Sequence, residues 1–351
     1  MTDRTSPRRI LFVLRGKLGD TVVSFATVRA WVDRYPADDV TLLVRANYAP
    51  LFAREAGMRV IGFASRLAMF AKLAWMRVFE PPFDALMVLL GAGAPVRRLG
   101  RMVRAQRKVY LDGRFAGVYP EWPQIPQEHF QPEPAWRVAA IVAPDLPMPR
   151  RSRIASLAAL RRPGGAIGIG PISDEPRRTM NPAVVQELVA AVERRHPGSA
   201  IHVMVNRADR DARPLLEKGL PAGAGFREFP TLDALVGELA GLAHLYATDT
   251  GIYHLAVAMG VPATVFYGPT QPWKNGMPEQ PELVRVRLAA LKGEHCEEKS
   301  CAVATCLNHA VRLHIGATGS PPVAETPQAC LLRRHAPGEL TTLSVDEGPG
   351  R

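Results

Sequence analysis

The stretch from His244 to Thr270 does most to limit what this chain can fold into. An apolar run, His244 to Ala247, leads into Thr248-Asp249-Thr250-Gly251-Ile252-Tyr253-His254 and a helix-like apolar run, Leu255 to Met259. Gly260-Val261-Pro262 ends that helix, and a second apolar run, Ala263 to Phe266, stops at Tyr267-Gly268-Pro269-Thr270. The order is strand, loop, helix, strand, loop. In a parallel α/β sheet the loop after a strand is where a ligand binds. A helix opening there turns unpaired backbone N–H groups toward an anion, typically phosphate. Thr250 and Gly251 let the backbone come close to it. Asp249 has two readings: a helix N-cap, or an acceptor for ligand hydroxyls.

The same alternation fills the rest of the chain. Ile10–Leu14 reads as a buried strand, Arg15–Asp20 as the first strand-to-helix loop, and Thr21–Tyr35 as a helix. Val40–Val44, Met58–Phe63, Phe83–Leu90 and Lys108–Leu111 read as strands. Tyr48–Ala56, Ser65–Phe79, Pro95–Arg107 and Ala135–Val142 read as helices. Ser65–Phe79 is amphipathic and carries Arg66, Lys72 and Arg77; it is an ordinary surface helix, a membrane-surface helix or the wall of an acceptor groove. Residues 113–134, rich in Pro and aromatics, form a loop that is a candidate cover for the site.

Pro144 to Pro163 holds four prolines and five arginines with Asp145 as its one acid, which marks an inter-domain connection. A second alternating unit follows: strands at Ala166–Ile169, Ala200–Val205 and Gly225–Phe229, and helices at Asn181–Arg195, Asp209–Lys218 and Thr231–Leu242. The expected organisation is an N-terminal α/β domain over 1–145, a linker over 146–163, a C-terminal α/β domain over 164–315 and a loosely ordered tail over 316–351.

The balance of 44 Lys+Arg against 33 Asp+Glu, a net +11, favours anionic partners: nucleic acid, anionic lipid or a phosphorylated substrate. No zinc finger, aromatic ribonucleoprotein motif or basic recognition helix is present, so nucleic acid is not the expected partner. The apolar run after Arg8-Arg9 is only five residues, too short for a signal-peptide core, and the charge-free run Thr250–Trp273 is broken by prolines and glycines. These features point to a cytoplasmic protein with possible peripheral contact at a membrane. All four cysteines lie late, as Cys296-x4-Cys301-x4-Cys306-x23-Cys330. That spacing is not a common zinc pattern, but its clustering leaves a structural metal beside the alternative of reduced, partly buried thiols.

The residues Asp249-Thr250-Gly251-x-x-His254, then Gly268-Pro269-Thr270-x-Pro272 and Gly276, resemble the C-terminal signature of glycosyltransferase family 9. Arg15-Gly16-Lys17-Leu18-Gly19-Asp20-Thr21-Val22, about 230 residues earlier, resembles the same family's opening Gly-Asp loop. The resemblance covers roughly residues 8–310. It implies a GT-B fold, two Rossmann-like domains with parallel sheets facing a cleft, and inverting transfer of a sugar from a nucleotide diphosphate without a metal. The implied donor is ADP-heptose or a related sugar nucleotide. The implied acceptor is a lipopolysaccharide-core intermediate at the inner membrane face. A protein O-heptosyltransferase, another GT-B sugar-nucleotide enzyme such as an epimerase, and a member that binds nucleotide without turnover are the alternatives.

By this resemblance Asp20 is the general base, although Asp before Thr-Val-Val also reads as a helix cap. Arg15 and Lys17 would hold a phosphorylated acceptor. Thr250 and Gly251 amides would take the diphosphate, with Asp249, His254 and Ser173 nearby. The family usually has a Lys three residues before the Pro that starts the next helix, and a Trp just before that Pro. Here those positions hold Thr179 and Asn181, ahead of Pro182, and Arg178 is the expected substitute cation. Asp209 is the nearest match to an acidic residue that meets ribose hydroxyls, with a helix cap as its other reading. Related proteins carry C-terminal cysteine clusters, and some autotransporter heptosyltransferases hold iron with one; Cys296, Cys301, Cys306 and Cys330 would be the structural iron or zinc ligands here.

Overall fold

The structure is a computed structural model. It describes residues 6–126, 132–162, 164–206, 220, 223–270, 283–289, 305–317 and 340–341. The chain divides into two compact units, Met1–Ser156 and Leu157–Arg351.

The first unit is a five-stranded, all-parallel sheet in the order β3-β2-β1-β4-β5. Its strands are β1 (Arg9–Leu14), β2 (Asp39–Arg45), β3 (Met58–Phe63), β4 (Phe83–Leu90) and β5 (Ala105–Tyr110). Its main helices are α1 (Leu18–Arg34), α2 (Ala49–Phe52), α3 (Arg66–Phe79), α4 (Ala94–Met102) and α5 (Glu133–Val142). β1 is central because it is apolar on both faces: Ile10 to Leu14 are fully buried. Leu11 and Val13 meet Met69, Leu73 and Met76 of α3 and Val96 and Leu99 of α4. Phe12 instead packs edge-on against Trp31 of α1, with ring centroids 5.5 Å apart. Each such buried side chain stabilises the unit by about 1.5–3 kcal/mol over its exposed state.

The second unit is a seven-stranded sheet, β12-β11-β10-β9-β6-β7-β8, parallel except for the two-residue β12 (Leu340–Thr341). The other strands are β6 (Ala166–Gly170), β7 (Ile201–Asn206), β8 (Ala224–Phe229), β9 (Leu242–Thr248), β10 (Ala263–Tyr267) and β11 (Val284–Ala289). Its helices include the one-turn α6 (Ala155–Ala158), which spans the boundary between the units, α7 (Pro182–Arg195), α8 (Leu232–Gly241), α9 (Gly251–Ala258) and α10 (Thr305–His314). Side chains punctuate these helices as the sequence leads one to expect. Asn181 caps α7, accepting from the Ala183 amide at 3.1 Å, and Thr231 caps α8, accepting from Ala234 at 3.2 Å. Ile167, Ile169, Val203 and Val205 form one sheet face, covered by Val185, Leu188 and Val192 of α7 and by Leu307 and Val311 of α10.

Several boundaries differ from the sequence reading. The Tyr48–Ala56 helix shrinks to the single turn Ala49–Phe52. The Pro95–Arg107 helix stops at Met102, and the strand expected from Lys108 begins at Ala105. β5 is an edge strand, where charged residues are tolerated. Arg107 reaches the Glu121 carboxylate, and Lys108 donates to the Gly100 carbonyl at 2.7 Å, so its basic residues read as helical until their partners are known. Within 113–134, Tyr119 is fully buried and donates its hydroxyl to the Val96 carbonyl at 2.7 Å. The expected Asp209–Lys218 helix and nearly all of the tail lie outside the described residues.

Two histidines of the second unit contribute to its acid response. His244 and His314 are each pushed down to about 4, first by burial and then by nearby arginines, Arg285 for His244 and Arg287 with Arg195 for His314. Both rings are therefore neutral when folded but protonate in the unfolded chain below the ordinary value of 6.5. Between pH 6.5 and about 4 the unfolded state binds more protons, so stability falls as pH drops through that window. The urea midpoint should be lower at pH 5 than at pH 7, and His314→Gln should remove part of that difference. An unchanged midpoint would sink the assignment.

Candidate functional site

The strand order of each unit creates one place where crossovers leave in opposite directions. In the second unit β6 connects toward β7 and β8, while β9 lies on its other side and leads to β10 and β11. The loops after β6 and β9 part there, at the carboxyl ends of adjacent strands, where open α/β sheets bind ligands. The loop after β9 is Asp249-Thr250, and α9 opens directly from it. Thr250, not Asp249, is the N-cap: its hydroxyl accepts from the Tyr253 amide at 3.5 Å and its carbonyl from the His254 amide at 3.3 Å. The first amides of α9, Gly251 and Ile252, precede any intrahelical acceptor, and the helix dipole adds partial positive charge there.

Asp249 is thus freed from capping, and its carboxylate is buried, 3% exposed. Arg178, from the loop after β6, donates through Nη1 to Asp249 Oδ2 at 3.0 Å and to the Asp249 carbonyl at 3.2 Å. His254 Nε2 lies 3.4 Å from Asp249 Oδ1, and Thr270 donates its hydroxyl to Oδ2 at 3.3 Å. Burial alone would raise the Asp249 carboxyl, but the His254 and Arg178 partners outweigh it and hold it below the ordinary aspartate value. For Arg178 burial opposes the charge, and the carboxylates of Asp249, Glu175 and Asp174 more than offset it. Arg178 Nη2 reaches Glu175 at 3.0 Å and Asp174 at 3.5 Å.

Arg178 thus bridges the loops after β6 and β9 as a clamp, its charge balanced by three carboxylates, and Asp249 is its buried partner. The departures at Thr179 and Asn181 also have structural work. Thr179 Oγ1 accepts from the Ser173 amide at 3.1 Å and holds the loop closed, and Asn181 Oδ1 caps α7 by accepting from the Ala183 amide at 3.1 Å. Tyr253 and Tyr267, fully buried beside the clamp, close its apolar side.

In the first unit the corresponding divergence lies between β1 and β4. The loop after β1 carries Arg15, Gly16 and Lys17; the loop after β4 carries Gly91 and Gly93. The two touch: the Arg15 amide donates to the Leu90 carbonyl at 3.2 Å, and a Cβ on Gly91, whose φ is +130°, would lie 3.3 Å from Arg15 Cβ. α1 starts at Leu18 behind the cap residue Lys17, so Asp20 is its third residue and not its cap, half-buried with Gly16 beside it. A cavity of about 620 Å³ adjoins, lined by Arg15, Arg45, Asn47, Phe63, Ser65 and Arg66. Burial, then Arg66 and Arg45, lower the Arg15 guanidinium, so an anion there would relieve the crowding of three cations. Arg45 and Arg66 were not legible as partners of Arg15 because they come together only through the β1–β2–β3 order.

Asp209, Cys296, Cys301 and Cys330 lie outside the described residues. Cys306 is in the first turn of α10, its Sγ 3.4 Å from where a Cβ on Gly268 would stand. Among the described residues no group of three or more His, Cys, Asp or Glu is placed to hold a metal.

The sequence model of glycosyltransferase family 9 (heptosyltransferase) matches residues 231–307, a span that includes α9 and both strands beside it. No curated protein matches the chain by sequence. Among solved structures, the family 9 glycosyl transferase of Veillonella parvula DSM 2008 is similar at TM-score 0.67 and 14% identity, over 80% of this chain and 86% of that one. The E. coli heptosyltransferase WaaC, solved with ADP, gives TM-score 0.67 and 18% identity over 88% and 99% of the two chains. E. coli ADP-heptose lps heptosyltransferase II gives 0.62 and 18% over 88% and 98%. These likenesses show the fold, two parallel-sheet α/β domains of GT-B type.

Proposed function

From the family 9 match over residues 231–307 and the shared fold, we propose that the chain is a glycosyltransferase of that family, which moves a sugar, with inversion, from a nucleotide diphosphate to a hydroxyl of an anionic glycolipid. The observation that carries this reading is that both divergence points hold chemistry suited to one half of such a transfer. In the second unit the Gly251 and Ile252 amides at the start of α9 take the diphosphate, and the Arg178–Asp249 clamp fixes the loops around them. In the first unit Asp20 takes the proton from the acceptor hydroxyl as that oxygen attacks the anomeric carbon. The carbon–oxygen bond to the diphosphate breaks on the opposite face, and the amides of α9 stabilise the charge left on it. Arg15, with Arg45 and Arg66, holds the acceptor's anionic group, and Lys17 at the loop's exposed edge assists.

ADP-heptose is the proposed donor, by the family and by the ADP in the WaaC structure. The proposed acceptor is a lipopolysaccharide-core intermediate on the cytoplasmic side of the inner membrane. Asp209 is the proposed ribose contact. A structural iron or zinc on Cys296, Cys301, Cys306 and Cys330 belongs to the reading but takes no part in the transfer.

Calorimetry with ADP and ADP-heptose tests the donor half. Gly251→Asp is the informative variant, because an acid in the first turn suits the helix dipole yet repels a diphosphate. ADP affinity should fall by about tenfold or more at unchanged melting temperature. Equal affinity in wild type and variant would overturn the diphosphate assignment. The alternative, nucleotide binding without turnover, draws on Thr179 and Asn181 standing where the family's Lys and Trp are expected. It predicts ADP binding with no transfer to any acceptor.

A further inference from the structure

We propose that the outward face of α3 docks the first unit onto an anionic lipid bilayer. α3 is apolar on two sides. Met69, Leu73 and Met76 point inward and fix it on the sheet. Leu67, Trp75, Val78 and Phe79 point outward and are 80%, 53%, 70% and 69% exposed. Leu67, Trp75 and Phe79 are spaced by eight and four residues, so they share one stripe. Trp75 and Phe79 lie against each other with ring centroids 5.7 Å apart. An exposed apolar stripe of this size on a folded unit needs an occupant.

The charge around the stripe selects the occupant. α3 contains Arg66, Lys72 and Arg77 and no acid, and α4, packed beside it, contains Arg97, Arg98 and Arg101 and no acid. All six are exposed, and Arg98 lies 4.8 Å from the centre of the Phe70 ring of α3. Trp and Phe with long apolar side chains, interleaved with Arg and Lys on a preformed helix, match the boundary between acyl chains and anionic headgroups. An acidic protein would meet the cations but leave Trp75 and Phe79 without an apolar partner. The helix is ready-made at its start, where the Ser65 hydroxyl accepts from the Ala68 amide at 3.1 Å.

Ser65 and Arg66 also line the cavity of Arg15. α3, about 21 Å long, therefore runs from the edge of the proposed acceptor pocket along the membrane-facing side. The inference rests on the transferase reading for its purpose: a lipid-borne acceptor would be met where its headgroup already lies.

Flotation of the full chain with phosphatidylcholine vesicles, with and without phosphatidylglycerol, tests this. Binding should be strong only with the anionic lipid and should weaken with salt. Trp75→Ser/Phe79→Ser and, separately, Lys72→Glu should each lower the fraction bound by about tenfold at unchanged melting temperature. Absence of binding to anionic vesicles, or binding indifferent to these changes, overturns the proposal. So does a dimer in analytical ultracentrifugation that Trp75→Ser/Phe79→Ser dissolves in the absence of vesicle binding, since a second copy would then be the occupant. Transfer to a delipidated, water-soluble acceptor separates the two readings. It should persist in the docking variants, and its absence in wild type with vesicle binding intact would count against the transferase reading alone.

Discussion

Asp20→Asn should lower kcat for sugar transfer by roughly 10²–10⁴-fold, the range for loss of a positioned general base, while ADP affinity stays at the wild-type value. Asn keeps the shape of the side chain but takes up no proton. Asp20 is the third residue of α1, and Asn keeps the size of its side chain there. Its neighbours Gly19 and Thr21 are buried, so the first turn is held by packing. The unfolding free energy should therefore shift by less than about 1 kcal/mol, an exposed-to-half-buried helix substitution. Single-turnover transfer and ADP calorimetry on the same preparation decide the matter. Retained transfer would remove Asp20 as the base. A parallel fall in ADP affinity would mean that it acts in donor binding.

Asp249→Ala should destabilise the second unit by about 2–4 kcal/mol, below the full cost of an unpaired buried charge because Arg178 keeps Glu175 and Asp174. Four interactions end at this carboxylate or its backbone: two from Arg178, one from His254 and one from Thr270. Removal of the side chain takes its buried carboxylate from the Arg178 guanidinium, 17% exposed, which keeps Glu175, Asp174 and the Asp249 backbone carbonyl. The double variant Arg178→Met/Asp249→Leu should recover much of the loss, since an apolar pair needs no compensation. The pH dependence has a definite sign. The carboxyl is held below its ordinary value in the fold, so its contribution is present above the unfolded aspartate range and disappears as pH falls through the folded value. Urea unfolding of the three proteins at neutral pH provides the measurement. A loss below about 1 kcal/mol for Asp249→Ala would show the pair to be solvated and the clamp to be fictitious.

Much of this architecture was legible in the sequence because buried parallel strands are apolar on both faces. Met58–Phe63 and Phe83–Leu90 were bounded as the structure has them, and Asn181 and Thr231 marked the starts of their helices. The errors have a common physical origin: local pattern does not reveal the partner. Leu18-Gly19-Asp20 reads as loop because Gly and Asp are poor helix formers, yet these residues are the first turn of α1, started by packing and not by a side-chain cap. Thr250 and Asp249 are equally good caps on paper, and the choice falls to Thr250 because Asp249 is drawn inward by an arginine 71 positions away. Neither that pair nor the gathering of Arg15, Arg45 and Arg66 has a local signal, since each depends on which strands are neighbours. The motifs fall on the loops at the two divergence points; the strand order decided which partners each side chain in them meets.

The exchange of roles between Thr250 and Asp249 bears on how such a chain can diversify. With the nearby guanidinium neutralised internally, the element facing the proposed diphosphate is main chain. Main-chain dipoles are written by the path of the backbone, and side-chain replacement does not erase them. Sequence drift around α9 is thus free to reshape the pocket for another sugar or base while the phosphate grip persists. A lineage built this way would keep its handle on nucleotides long after its substrate preferences, and most of its recognisable side chains, had changed.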